Sequence, residues 1–293
     1  MGRVQRSKAS VHRKATGKRR VAARLSSAGP GASVIIPVHN RLDYTKRCLG
    51  SLRAHGGGIE EIIVIDNGST DGTARYLSGL QGVRVLRNRE NRGCAAAWNH
   101  GLEAAASPWV LFLNNDVVVT EGWVEGMLEF AVRNRTDVVS PAIREGLGRY
   151  DIDRYAEEFV ARMKHCARNG VADGICFMVH RKVFEKIGRF DENFRIGQFE
   201  DTDFFRRAAM AGFRLAITGR SFIHHFGSVT QNYIRLVEGD TSYESENRAY
   251  YRYKWGLSRR RRFLGRQAAN ARRLLWVLRE RVLGGHLLIG EKG

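Results

Sequence analysis

Cysteine is scarce in this chain of 293 residues: Cys48, Cys94, Cys166 and Cys176 stand far apart, with no Cys-x-x-Cys pair among them. A zinc knuckle and a disulfide framework are thereby excluded, and a reducing compartment fits. No charge-free apolar stretch approaches the ~20 residues needed to span a bilayer, and no apolar signal-peptide core follows the basic N-terminus. The expectation is a cytoplasmic protein. Acids are missing from residues 1–28, which carry nine Lys/Arg, and residues 248–293 carry 13 Lys/Arg against only Glu280 and Glu291. The 219 residues between hold 27 Lys/Arg and 28 acids, so the formal charge of +19 sits at the two ends. A near-neutral body with cationic ends is not itself an electrostatic trap for nucleic acid, and no nucleic-acid partner is expected.

What is present is an ordinary globular balance, 43% hydrophobic and 27% charged, long enough to bury a core. Residues 1–32 have no aromatic and no sustained period, which predicts a disordered basic tail. Residues 33–247 read as the folded domain. Residues 248–293 interleave Phe263, Leu264, Leu274, Leu275, Trp276, Leu278, Val282 and Leu283 with arginines at near-helical spacing. This predicts a basic amphipathic helical segment, either packed on the body or peripheral on an anionic membrane surface at the inner face of the plasma membrane.

Within the body, apolar runs at Ser33–Val38, Glu61–Asp66, Val83–Leu86 and Trp109–Leu113 predict strands, and helical patterns follow at about Leu42–Ala54, Thr73–Gly79, Cys94–Ala106 and Glu121–Arg133. Such βαβ alternation predicts an α/β fold with a mostly parallel sheet flanked by helices. Residues 140–172 show no clear strand pattern, and their aromatic and charged composition suits either a lid over a ligand site or a surface helix. Asp151 and Asp153 read as a solvated loop or helix start. The stripe Tyr243, Tyr250, Tyr251, Tyr253 and Trp255 suits either stacking on the faces of a ligand or packing between a terminal helix and the body.

Ligands of open parallel sheets bind beyond the carboxyl ends of the strands, and acids stand there. Glu61-Ile62-Ile63-Val64-Ile65 runs into Asp66-Asn67-Gly68-Ser69-Thr70-Asp71-Gly72-Thr73, and Trp109–Leu113 runs into Asn114-Asn115-Asp116 before Val117–Val119. A carboxylate between apolar β-formers is costly to ionise without a cation or donor, so metal ligation is the sharp reading for Asp116. Asp66 divides between a functional acid and an Asx-turn or helix-cap acid. The first strand is followed by Val38-His39-Asn40-Arg41, with neither a Gly-x-Gly-x-x-Gly fingerprint nor a P-loop, which argues against dinucleotide binding and P-loop ATP hydrolysis.

Six motifs in order resemble the family 2 glycosyltransferases, notably the bacterial rhamnosyltransferase-like members that build cell-surface polysaccharide. They are Ser33–Asn40, Glu61–Thr73, Asn91-Arg92-Gly93 with Ala97, Asn99 and Gly101, Leu111–Asp116, then Asp173–Arg181 with Gly188–Phe194 and Glu200–Phe204, and finally His224–Thr230. The resemblance implies a GT-A fold, a nucleoside-diphosphate-sugar donor and a divalent cation, Mn2+ or Mg2+. It implies a single inverting displacement onto a hydroxyl of a saccharide, glycolipid, glycoside or lipid-linked acceptor, as in cell-wall polysaccharide biosynthesis.

Carried over residue by residue, the resemblance assigns nucleotide-sugar contacts to Pro37, Val38, His39, Asn40, Asp66, Asn67, Asn91, Arg92, Gly93, Asn99, Asn114 and Asn115. It assigns the metal to Asp116 and His225, and catalysis to Asp201 and Glu200. Asp201 is the candidate general base, with Glu200 the alternative; Asp203 could be a first-turn acid complementing the helix dipole. Two adjacent histidines point to opposite faces of a strand, so His225 is taken as the ligand and His224 as structural. One departure stands out: Asn114-Asn115-Asp116 replaces the family's Asp-x-Asp, leaving one carboxylate and a weak metal site until a nucleotide's phosphates arrive. The departure keeps open a catalytically weak nucleotide-sugar-binding module.

Overall fold

The computed structural model describes residues 31–292. The tail expected to be disordered lies outside the described residues except for its last two positions.

Alternation of apolar strand and helix builds the first half. β1 (Ala32–Val38), β2 (Ile59–Asn67), β3 (Arg84–Asn88) and β4 (Trp109–Leu113) run parallel in the order β3-β2-β1-β4. Helices α1 (Leu42–Ala54), α2 (Thr73–Ser78) and α3 (Cys94–Ala104) connect them. Side chains alternate across β1, so Val34, Ile36 and Val38 pack with Leu49 and Leu52 of α1, while Ile35 packs with Trp98 of α3 and Phe112 of β4. A strand covered on both faces must be apolar throughout, which is why these runs were legible. Gly101 is required by the approach of α3 to β1, since a methyl group there would collide with Ile35.

The second half departs from a simple parallel plan. It contains β5 (Val117–Val119), α4 (Trp123–Asn134), β6 (Val138–Glu145), α5 (Ile152–Met163), β7 (Ala167–Asn169), β8 (Cys176–His180), α6 (Arg181–Ile187), α7 (Glu200–Met210) and β9 (Leu215–His225). The sheet continues β4-β8-β6-β9-β5, with β8 antiparallel to both neighbours. Five of the nine strand pairings among the described residues are parallel. Residues 140–172 are not a lid: they hold most of β6, then α5 and β7. Pro141 hid β6, and it is tolerated because the β6–β9 register shifts between Pro141 and Ala142, where a missing N–H costs no regular ladder bond. Asp151 caps α5, accepting from the Arg154 amide at 3.1 Å, in keeping with the helix-start reading.

The chain closes with α8 (Val229–Tyr233), a π-helical turn at Ile234–Glu238, α9 (Ser242–Lys254), α10 (Arg259–Gly284) and β10 (Ile289–Lys292). The expected boundary between residues 247 and 248 falls inside α9, whose Tyr243 and Asn247 are buried in the body. Nor is the C-terminal segment a loose appendage. β10 pairs in parallel with β6, and buried Glu280 of α10 takes Arg168 of β7 at 2.6 and 2.8 Å. The aromatic stripe is mainly packing: Tyr250 and Tyr251 meet Phe194 and Phe199, and Tyr253 points outward.

Candidate active site

At the carboxyl ends of β1, β2 and β4 an open cavity of about 320 Å³ is closed on its far side by the ends of β6 and β9 and the start of α7. The topology puts it there: parallel strands all end on one edge, and the β4-to-β5 turn drops Asn114–Asp116 into the same crevice.

Asp116 and His225 meet at the centre. β5 pairs with β9 so that Val117 lies opposite His225, which brings His225 Nε2 to 3.3 Å from Asp116 Oδ1, both side chains buried. Burial would raise the Asp116 carboxyl, but His225 and the Val229 amide, which donates to Oδ2 at 3.0 Å, more than offset it and hold it below its ordinary value. Burial alone would lower His225; Asp116 and Glu145, the latter 3.3 Å from Nδ1, instead push it up to about 9. Beyond this ion pair His225 Nε2 makes no hydrogen bond among the described residues. A buried ring nitrogen facing a carboxylate oxygen is a two-donor set that fits a divalent cation once the cation displaces the ring proton. No cluster of three or more His, Cys, Asp or Glu suited to a metal occurs among the described residues, so further ligands would have to come from a bound molecule. His224 turns the other way, toward Tyr150, whose hydroxyl lies 2.9 Å from its Nδ1.

The wall at the ends of β1 and β2 is a run of amides. Asn67 donates to Asn91 Oδ1 at 2.8 Å and to the Gly93 carbonyl at 3.1 Å, and accepts from Asn88 at 2.8 Å. His39 Nδ1 lies 2.9 Å from the Asn67 carbonyl. Asn115 is tied on both sides, donating to Thr45 Oγ1 at 3.1 Å and accepting from Thr230 Oγ1 at 3.3 Å. With Pro37, Val38 and Asn114, all of these except Gly93, Asn88 and Thr45 line the cavity.

Five expected contacts do not reach the cavity wall. Asn40 is spent on the neighbouring loop, its Oδ1 accepting from the Thr70 and Asp71 amides at 2.8 and 3.1 Å. Asp66 makes the Asx turn, accepting from the Ser69 amide at 3.0 Å, with Arg87 3.3 Å from its other oxygen. Arg92 pairs at the surface with Glu192. Gly93, at φ 84°, lets Ile196 lie close against it. Asn99 is buried and exchanges hydrogen bonds with the Phe190 backbone at 3.0 and 3.1 Å.

The acidic side is the start of α7. Glu200 is buried, its Oε2 unpaired; burial first, then the charge of Asp201, push it up to about 8. Asp201 is half-buried, accepts from the Thr202 amide at 2.6 Å, and is raised by burial. Its other oxygen rests on Gly174, where a methyl group would displace it. Asp203 is not merely a first-turn acid: it is fully buried and takes Arg207, Lys254 and Trp255 at 2.8, 2.8 and 3.0 Å.

Several lining residues escaped the sequence reading as candidates, notably Glu145, Asp173, Gly174 and Gln198. Glu145 ends the strand that Pro141 concealed, and Asp173, which follows β7, is pushed up to about 6, chiefly by burial. The other missed feature is strain. Ile196, Gln198 and Phe199 all have φ between 58° and 76°, in the left-handed region, immediately before Glu200. Asn247 holds that loop, donating to the carbonyls of Arg195, Gly197 and Gln198 and accepting from the Arg195 amide at 2.9 Å. Asn247→Ala would orphan these groups at about 1–3 kcal/mol or more in total. The expected result is a melting midpoint lower by about 5 °C or more and turnover lower by about tenfold. An unchanged midpoint and rate would show that the loop holds itself.

Residues 33–188 match the family described as Glycosyl transferase family 2. Glycosyltransferase AglE of Haloferax volcanii is 26% identical over 228 residues, 73% of this chain and 74% of its own length. Succinoglycan biosynthesis protein ExoU of Rhizobium meliloti is 30% identical over 238 residues, 74% of this chain and 65% of its own. The fold is similar to that of the mannosyltransferase PcManGT from Pyrobaculum calidifontis, solved in complex with GDP-Man and Mn2+, at TM-score 0.52 and 20% identity over 67% of this chain and 56% of that one.

Proposed function

We propose, since this chain belongs to glycosyl transferase family 2, that it moves a sugar from a nucleoside-diphosphate donor to a hydroxyl of a saccharide, glycolipid, glycoside or lipid-linked acceptor, with inversion at the anomeric carbon. The observation that carries the reading is convergence: one cavity is lined by the Asn67 and Asn91 amides, the Asp116–His225 pair and Asp201.

In this reading Asn67, Asn91 and His39 bind the nucleoside, and Asn114 and Asn115 reach its sugar or diphosphate. Asp116 and His225 would hold the divalent cation, which when bound neutralises the charge that develops on the departing diphosphate. Asp201 takes the proton of the acceptor hydroxyl as that oxygen attacks from the opposite side. Glu200, protonated at neutral pH, leaves the single negative charge of the pair on Asp201. Asp173 and Gly174 shape the floor on which the Asp201 carboxylate rests.

The test is release of diphosphate from a panel of uridine, guanosine and deoxythymidine diphosphate sugars. With Mn2+, one donor is expected to be hydrolysed slowly without acceptor, and a chelator is expected to stop it. Nucleotide binding without turnover of any donor would support a binding module instead. Turnover indifferent to the chelator would remove the assignment of Asp116 and His225.

A further inference from the structure

Among the described residues nothing covers the outer face of α10, which carries an apolar stripe. The helix has 26 residues, about 39 Å, and touches the body on one side through buried Glu280 and through Trp276, which stacks 5.5 Å from the Arg168 guanidinium. On the opposite side Leu264, Ala268, Ala271, Leu275, Leu278 and Val282 follow one another at alternating intervals of four and three residues. That spacing makes one continuous stripe, and it faces solvent: Leu275 is 67% exposed, Leu278 55% and Val282 83%. Apolar surface of this extent on a soluble face signals an interaction.

We infer that α10 is an interfacial helix that seats the protein on an anionic lipid bilayer. Charge selects that partner over the others a bare apolar stripe would admit. Arg272 and Arg279 run along one edge of the stripe, Arg281 stands on the other, and Arg259–Arg262 lead into it. The helix's one acid, Glu280, is turned to the body and neutralised by Arg168. In a coil formed with a second copy, the flanking positions would bring arginine against arginine with no acid to relieve them. A nucleic acid would satisfy the arginines and leave the leucines in water. Anionic headgroups answer the arginines while the acyl boundary takes the leucines. β10 and the Arg168–Glu280 pair fix the helix to the sheet, so the bilayer would hold the catalytic body itself. This surface lies outside the cavity, and the inference stands whether or not the reaction proposed above is right.

The experiment is co-sedimentation of the full chain with phosphatidylcholine vesicles, with and without about 30% phosphatidylglycerol, in about 0.1 M salt. Binding to the anionic vesicles is expected to exceed that to neutral ones by about tenfold or more. Leu275→Glu/Leu278→Glu and, separately, Arg272→Gln/Arg279→Gln are each expected to lower it by about tenfold, with the melting midpoint kept. Should the leucine variant fold poorly, the arginine variant carries the test. Equally weak binding to both vesicles would overturn the inference, as would anionic binding indifferent to both variants, which would assign it to another basic segment. A dimer in solution that Leu275→Glu dissociates, without vesicle binding, would overturn it in favour of a second copy.

Discussion

Asp201→Asn is expected to lower the rate of sugar transfer about 10³-fold while nucleotide affinity stays within about threefold. The substitution keeps size and removes only the capacity to accept a proton. The Thr202 amide can still donate to the retained oxygen, and Gly174 still offers the same floor. Glu200→Gln is expected to cost far less, because Glu200, pushed up to about 8, already carries its proton at neutral pH. A loss as large as that of Asp201→Asn would transfer the role of base to Glu200. The pH profile carries the same distinction. Burial raises Asp201 above its ordinary value, so turnover should climb with pH through that raised value. Stability runs the other way for Glu200. Its folded value lies above its unfolded value near 4.5, so the stabilising proton is fully held below about 4.5 and lost as pH rises toward about 8. Glu200→Gln should flatten that decline.

Asp116→Asn is expected to weaken cation-assisted nucleotide binding, and turnover with it, by about 100-fold or more. Asp116 is the one carboxylate left in the Asn-Asn-Asp turn, and Asn114 and Asn115 add no charge to replace it. The fold should survive, because an amide oxygen still accepts from the Val229 amide. Removing the charge also removes the main partner that raises His225, whose imidazole should then titrate nearer its ordinary value. Manganese titration followed by electron paramagnetic resonance, with nucleotide present, measures the loss directly. Affinity unchanged in Asp116→Asn would place the cation elsewhere.

Much of this was legible in the chain because physics repeats there. β4 and α1 fall at the expected residues, since a doubly covered strand and an amphipathic helix each leave a clear period. The second half was harder for stated reasons. Pro141 at a register shift disguised β6, and buried β8 reads the same whether it pairs parallel or antiparallel. At the site, motif order pointed to Asp116, Asp201 and His225, which line one cavity, and the β5–β9 register explains why His225 and not His224 faces inward. Motif order overreached at Asn40, Asp66 and Asn99, whose side chains are consumed by neighbouring backbone, because sequence cannot show where a polar group spends its hydrogen bonds. Asn247 and the left-handed residues before Glu200 leave no sequence signature, since positive φ at Ile196 and Phe199 contradicts local preference and exists only through tertiary contacts.

The most direct measurement is calorimetric titration of the cognate nucleoside diphosphate, with and without Mn2+, into the native chain, Asp116→Asn and Asp201→Asn side by side. If one cleft anchors the donor at one carboxylate and deprotonates the acceptor at another, Asp201→Asn binds like the native chain, and Asp116→Asn loses the manganese-dependent part. Equal manganese-dependent binding by all three proteins, or its loss in Asp201→Asn alone, would contradict that division of labour.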